Sequence, residues 1–145
     1  MKSFLFTIFL ISIIFSISFC QNKDDILGTW VSQHGSGKVQ FYKQGEKYFG
    51  KLVWIKNAEN SEGKPQLDVY NPSKELQCKP LLGLEIFKDL DYKSDGTWTD
   101  GTVYDPKSGK TYDCKVSMVS DTKLDIRGFK GVSFVGKTVS WSRAE

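Results

Sequence analysis

From Leu27 to Arg143 the chain is written in short segments whose apolar residues recur at every second position, each closed by a turn. Val39 and Phe41 alternate with Gln40 and Tyr42. Tyr48, Gly50, Leu52 and Trp54 share one side of the next segment, and Tyr112, Cys114, Val116 and Met118 one side of a later one. Period-two alternation rich in β-branched and aromatic residues marks half-buried strands. Between them stand turn sequences such as Gln44-Gly45-Glu46-Lys47, Ser94-Asp95-Gly96 and Asp105-Pro106-Lys107-Ser108-Gly109. In these, proline fixes φ and glycine accepts a positive φ. The pattern predicts strands over Leu27–Ser32, Lys38–Lys43, Tyr48–Ile55, Pro80–Asp91, Thr97–Tyr104, Lys110–Val119, around Leu124 and Ile126, and over Thr138–Arg143. It places Leu82, Leu84 and Ile86 inward on the fourth, and Trp98, Thr102 and Tyr104 on one face of the fifth.

About eight strands without a long helix mean a sandwich or a barrel, and consecutive hairpins favour a single up-and-down antiparallel barrel. Closure removes the edge strands that invite aggregation. The ends are expected to meet: Gly28-Thr29-Trp30 opens the first strand and Val139-Ser140-Trp141-Ser142-Arg143 closes the last. Arg143 shares a strand face with Val139 and Trp141, and an arginine there needs a partner. Stacking on the Trp30 indole would gain roughly 0.5–2 kcal/mol and leave the guanidinium donors for backbone carbonyls. The pair then either plugs one barrel end or lets Arg143 grip an acidic ligand inside.

Residues Lys56–Lys79 break the rhythm. A polar connection of this length in a small domain is uncommon and often functional. Asn71-Pro72 suits a helix cap followed by proline at the first helical position, which predicts one turn over Pro72–Gln77.

The front end reads as a leader. Met1-Lys2 precedes an apolar run from Phe4 to Phe19, with small residues Ser18 and Cys20 ahead of Gln21. Residues 1–20 are therefore expected to form a signal peptide and 21–145 the barrel domain, exported to the periplasm or beyond. Ile17-Ser18-Phe19-Cys20 also fits a lipobox in part, and membrane contact is expected only if Cys20 is lipidated. The run is short for a retained anchor. After cleavage Cys78 and Cys114 remain. In an oxidising compartment they make one bridge, worth on the order of 4 kcal/mol through the long loop it closes, or they stay two separate thiols.

The formal charge of +3 is spread among interleaved acids and bases, which excludes a nucleic-acid stripe. The single histidine, His34, sits in a glycine-rich turn and supports no nucleophile–base site. One histidine and two distant cysteines miss zinc spacing, so neither metal nor cofactor is expected. Asp89, Asp91 and Asp95 miss the order of a calcium loop and read as turn aspartates. A hydrolase or isomerase would have only carboxylates and tyrosines for acid–base work, and no catalytic residue is assigned.

The stretches Ile26-Leu27-Gly28-Thr29-Trp30, Gly50-Lys51-Leu52-Val53-Trp54, Asp68-Val69-Tyr70-Asn71-Pro72, Lys79-Pro80-Leu81-Leu82-Gly83-Leu84, Tyr104 to Tyr112 and Arg127-Gly128-Phe129 together resemble an exported bacterial domain-of-unknown-function family, numbered 2147. Gly28-Thr29-Trp30 with Arg143 also resembles the lipocalin and fatty-acid-binding group, in which a G-x-W of the first strand packs under a late arginine. The resemblance implies a lipocalin-like barrel outside the cytoplasm and no established activity. One departure is Lys79, where the resemblance leads one to expect arginine; if that position binds an anion, lysine holds it without a bidentate fork.

Two functions follow from these residues. In the first, the barrel is a non-enzymatic binding module for a small apolar or amphipathic ligand, lined by Trp54, Trp98, Tyr104 and Tyr112 with Trp30 and Arg143, and covered by the long connection. In the second, a solid barrel serves as an envelope-associated interaction or structural module whose surface is the connection, with Lys64, Asp68, Asn71 and Lys79. A void of about 300 Å³ or more between Trp30 and Trp98 would support the first. Oligomeric state is not legible.

Overall fold

The computed structural model describes residues 21–132 and 135–145; the leader expected over 1–20, with Cys20, lies outside them. Eight strands follow in order: β1 Gly28–Val31, β2 Gly37–Gln44, β3 Lys47–Ile55, β4 Glu85–Ser94, β5 Thr97–Asp105, β6 Lys110–Ser120, β7 Lys123–Phe129 and β8 Gly136–Arg143. Each pairs antiparallel with the next, and β1 pairs with β8 through Trp30↔Arg143 and Val31↔Ser142, so the sheet closes into an up-and-down barrel. The Ala144 amide adds a bond to the Thr29 carbonyl at 2.9 Å.

One end of the barrel carries the tight hairpins β2–β3, β4–β5 and β6–β7 and is sealed by the segment Gln21–Leu27. The Tyr48 hydroxyl donates to Asp24 at 2.6 Å, Trp98 Nε1 to the Lys23 carbonyl at 3.2 Å and Trp30 Nε1 to the Ile26 carbonyl at 2.8 Å. Trp30, Trp98, Phe87 and Leu90 are fully buried there, and Tyr48 and Phe41 nearly so. The opposite end, the mouth, carries the β1–β2, β5–β6 and β7–β8 loops and the long connection. Within that connection the helical turn is a 3₁₀ turn, Lys74–Leu76, with Ser73 at the N-cap position but making no side-chain capping bond, rather than a turn beginning at Pro72. Asn71 is not its cap; the Asn71 side chain accepts the Ser73 amide and reaches instead for Asp68.

Bulges decide which side chains face inward. On β3, Val39 pairs with Leu52 but Lys38 pairs with Trp54, so Val53 is an extra residue. An extra residue reverses the alternation beyond it. Trp54 therefore points outward with Lys38, whose ammonium lies 5.5 Å from its ring centre, and is 42% exposed; it is not an interior residue. On β5, Trp98 pairs with Val116 and Gly101 with Cys114, leaving Thr99 and Asp100 opposite Lys115 alone. Asp100 holds φ +61°, as Asp89 holds +57° on the neighbouring β4. The two distortions lie against each other, and a Cβ on Gly101 would collide with the Lys88 carbonyl. Beyond them Gly101 and Val103 face in, and Tyr104 faces out. The expected strand from Pro80 starts at Glu85, and Leu82 lies exposed in the connection while Phe87 takes the interior position.

Cys78 and Cys114 are both free thiols. Cys78 is exposed in the connection, its thiol 3.3 Å from the Glu75 carbonyl, whereas Cys114 is sealed inside the barrel wall on β6. A disulfide needs Cβ atoms about 4 Å apart, which these two environments do not offer. Burial pushes the Cys114 thiol up to about 12, which keeps it protonated and unreactive.

Candidate functional site

The interior is filled at the sealed end and hollow at the mouth. Trp30 and Trp98 are both sealed core residues, and neither lines the hollow. The hollow lies above them in two adjoining lobes of about 380 and 720 Å³, which share Trp141, Asp105 and Lys107 in their walls. Both volumes fall in the range of small-molecule sites. Trp141 forms the floor, edge-on to the buried Phe87 ring at 5.6 Å between centres. Val39, Leu52, Ile55 and Ile86 wall the smaller lobe, with Leu81 of the connection over it. Val103, Tyr112, Ile126 and Val139 wall the larger.

Among the residues expected to line the site, Tyr112 does so, with the Lys130 ammonium 5.5 Å from its ring centre. Trp98 lies in the base, against Tyr48 and Tyr92. Trp30 and Arg143 form the plug: the guanidinium sits 4.2 Å over the indole, and its three nitrogens donate to the carbonyls of Leu27 at 3.0 Å, Asp25 at 2.7 Å and Asp121 at 2.7 Å. That geometry commits Arg143 to the backbone and takes it out of any ligand site. Gly28, at φ +113°, leaves room for it; a Cβ there would approach its Nη1 to 3.3 Å.

Sequence reasoning passed over Trp141 and Phe87 as site residues. Trp141 was signalled, because it lies two positions before Arg143 on the inward face of the last strand. Phe87 was not, because the Gly50↔Phe87 and Lys51↔Glu85 pairs leave Ile86 as an extra residue, and Ile86 and Phe87 are buried in succession.

Tyr104 does different work. From the outer face of β5 its hydroxyl donates to Asp68 Oδ1 at 2.7 Å, and Asn71 Nδ2 donates to Asp68 Oδ2 at 2.8 Å. Asp68 is fully buried, so it is not part of an exposed partner surface as the sequence suggested. Its amide donates to the Lys79 carbonyl at 2.9 Å, tying the two arms of the connection together. Burial, reinforced by the bond to Asp68, pushes the Tyr104 hydroxyl up to about 12. Gly109 completes the clasp, since any Cβ there would collide with the Tyr70 carbonyl. Lys64 and Lys79 are exposed, and Lys64 pairs with Glu62 at 3.4 Å.

Among the described residues no cluster of His, Cys, Asp or Glu could hold a metal ion, and no helix is long and apolar enough to cross a membrane. Asp91, one of the aspartates of the discarded calcium loop, is held by Lys47 at 2.6 Å.

A family model described as an uncharacterised protein conserved in bacteria (DUF2147) matches residues 28–143. Among solved structures, protein HP1028 from the human pathogen Helicobacter pylori, described as belonging to the lipocalin family, is 21% identical. It superposes with a TM-score of 0.73 over 83% of this chain and 83% of that one. A redesigned beta barrel is 15% identical, covers 88% of this chain and 98% of its own, and has a TM-score of 0.48. A comparison with curated proteins gives no match.

Proposed function

The chain belongs to the bacterial DUF2147 family and has a lipocalin-like barrel, and from that premise we propose that it is an exported, non-enzymatic binding module for a small, partly apolar ligand held in the mouth. One observation carries the reading: the sealed end is packed solid while the mouth is left open over an indole floor. A barrel built only for stability would continue its side-chain layers to the top, because an apolar void forfeits contacts. Export rests on the leader pattern of residues 1–20.

Native mass spectrometry of protein recovered from its own periplasm tests this. A co-purifying small molecule is expected, released by the substitution Val139→Trp, which fills the larger lobe from its wall. A bare mass together with unchanged tryptophan emission against every amphiphile tried would refute the reading.

A second reading, an interaction module, is favoured by the exposure of Val69, Tyr70, Leu76 and Leu82 on the connection. The tip of that connection is a small exposed hairpin bridged at Glu59↔Pro65. Removing residues 59–65 should leave the unfolding midpoint within about 3 °C of the parent, since surface changes are worth only a few tenths of a kcal/mol. If the module binds a partner through this tip, capture is lost with it; if capture survives or no partner is retained by the parent, the tip is not the contact.

A further inference from the structure

We infer that the ligand of the mouth is an amphiphile with an acidic head, held head-outward. The inference rests on the binding reading above and adds the chemistry and the orientation. The lobes are graded in polarity. Trp141 floors both, with Phe87 beneath the larger, and the side walls are mostly apolar, aliphatic in the smaller lobe and joined by Tyr112 and Phe129 in the larger. Their rim is cationic: Lys56 and Lys107 stand on the smaller lobe, and Lys107, Lys130 and Lys137 on the larger.

One acid, Asp105, reaches the same rim; its own turn fixes its orientation, and its single negative charge is outnumbered by the four lysines. Its Oδ1 accepts the Lys107 amide at 3.0 Å and its Oδ2 the Ser108 hydroxyl at 2.7 Å. The ion pairs among the described residues are Lys43–Asp24, Lys47–Asp91, Lys64–Glu62 and Lys93–Asp100. Lys56, Lys107 and Lys137 are in none of them. Like charges gathered at the lip of a low-dielectric cleft focus their field into it and draw an anion to the opening.

Orientation follows from desolvation. A carboxylate or phosphate pushed to the floor would leave the rim lysines behind and meet the rings of Trp141 and Phe87; Arg143, half-buried on the same strand as Trp141, gives its three nitrogens to backbone carbonyls. Burying an unpaired anion away from water is strongly unfavourable, so the apolar tail goes in and the head stays at the lysines, partly hydrated. Lysines offer point charges on flexible stems rather than a rigid fork. They select the sign of the head without selecting carboxylate over phosphate.

The test is calorimetric titration of the full mature chain with dodecanoate, monododecyl phosphate, neutral monolaurin and dodecyltrimethylammonium, each below its micelle threshold. Both anions are expected to bind at least about tenfold tighter than monolaurin at low salt, with the gap closing as salt screens the exposed lysines. The cation should bind weakest. The double substitution Lys107→Gln/Lys137→Gln should cost dodecanoate far more affinity than monolaurin, closing at least most of the roughly tenfold gap between them. Comparing the two anions tells a fatty-acid-like head from a phosphate head, and a preference for either supports the inference. Equal binding of anionic, neutral and cationic probes, or anion binding indifferent to the lysine substitutions, overturns the acidic head while the cavity reading stands. Binding of none of the probes overturns both.

Discussion

Replacing Trp30 by alanine is expected to lower the free energy of unfolding by about 3–5 kcal/mol, the range for truncating a large aromatic in a well-packed core. The site offers no easy relaxation. Trp30 is fully buried, its N–H is committed to the Ile26 carbonyl, and the Arg143 guanidinium sits 4.2 Å over its ring. Alanine removes the stacking surface, leaves that carbonyl without its donor and opens a void under a cation. For a domain of this size the whole stability is about 5–15 kcal/mol, so the loss is a large share of it and corresponds to roughly 4 °C in Tm for each kcal/mol. Trp30→Phe separates the contributions. It keeps a ring under the guanidinium and loses the indole donor, and should cost about 1–2 kcal/mol. Arg143→Lys keeps the charge but cannot span three carbonyls, and should fall between the two. Urea unfolding followed by far-UV circular dichroism measures all three; a loss below about 1 kcal/mol for Trp30→Ala would mean that the two ends of the chain are not what closes the barrel.

The closure was legible because it depends on local signals. Alternation, turn residues and an arginine on an apolar face are each visible within a few positions, and they place Trp30 against Arg143 correctly. The mouth was less legible because its lining is set by where bulges fall. Nothing local to Gly50-Lys51-Leu52-Val53-Trp54 says that Val53 will be the extra residue opposite β2, yet that slip turns Trp54 to solvent and brings Ile55 in. The Asp100 distortion likewise sends Tyr104 outward and Val103 inward, and it depends on the matching distortion at Asp89 across the sheet. Asp68 shows a third limit. In sequence it is an acid in a polar loop, the common context of a solvated charge. Its burial follows only once Tyr104 and Asn71 are brought to it from two directions.

That burial sets the other large effect. Asp68→Ala is expected to release the connection from the barrel wall while the barrel itself stays folded. The substitution leaves the Tyr104 hydroxyl and the Asn71 amide without the acceptor they share, a penalty of about 1–3 kcal/mol for each group. The middle of the connection has little else to hold it: its residues are mostly exposed, and apart from the bonds of Lys56 to Ser36 and of Gly83 and Leu84 to Leu52 at its two ends, its backbone bonds run within the connection itself. Local opening of such a segment is governed by its own contacts rather than by global stability. Exchange at the Asp68, Asn71 and Leu81 amides should therefore speed up by about 30- to 1,000-fold, and limited proteolysis should cut between β3 and β4, with the barrel amides of β6 and β7 unchanged. Asp68→Asn, which keeps one acceptor, should give a smaller change. Alkali attacks the clasp from the other side. The Tyr104 hydroxyl ionises near 10 in an unfolded chain and near 12 here, so the stability it lends is complete below pH 10 and is lost as the pH climbs to about 12. Asp68→Ala should shrink that alkaline step, because it removes the hydrogen bond and, with the connection released, uncovers the hydroxyl. Leu81 hangs over the smaller lobe and its amide is bonded to Gln66 at 2.8 Å within the same connection. Once the clasp opens, that wall goes with it, so amphiphile affinity should fall in step with amide protection. Faster exchange with undiminished affinity would show that the connection ornaments the mouth without closing it.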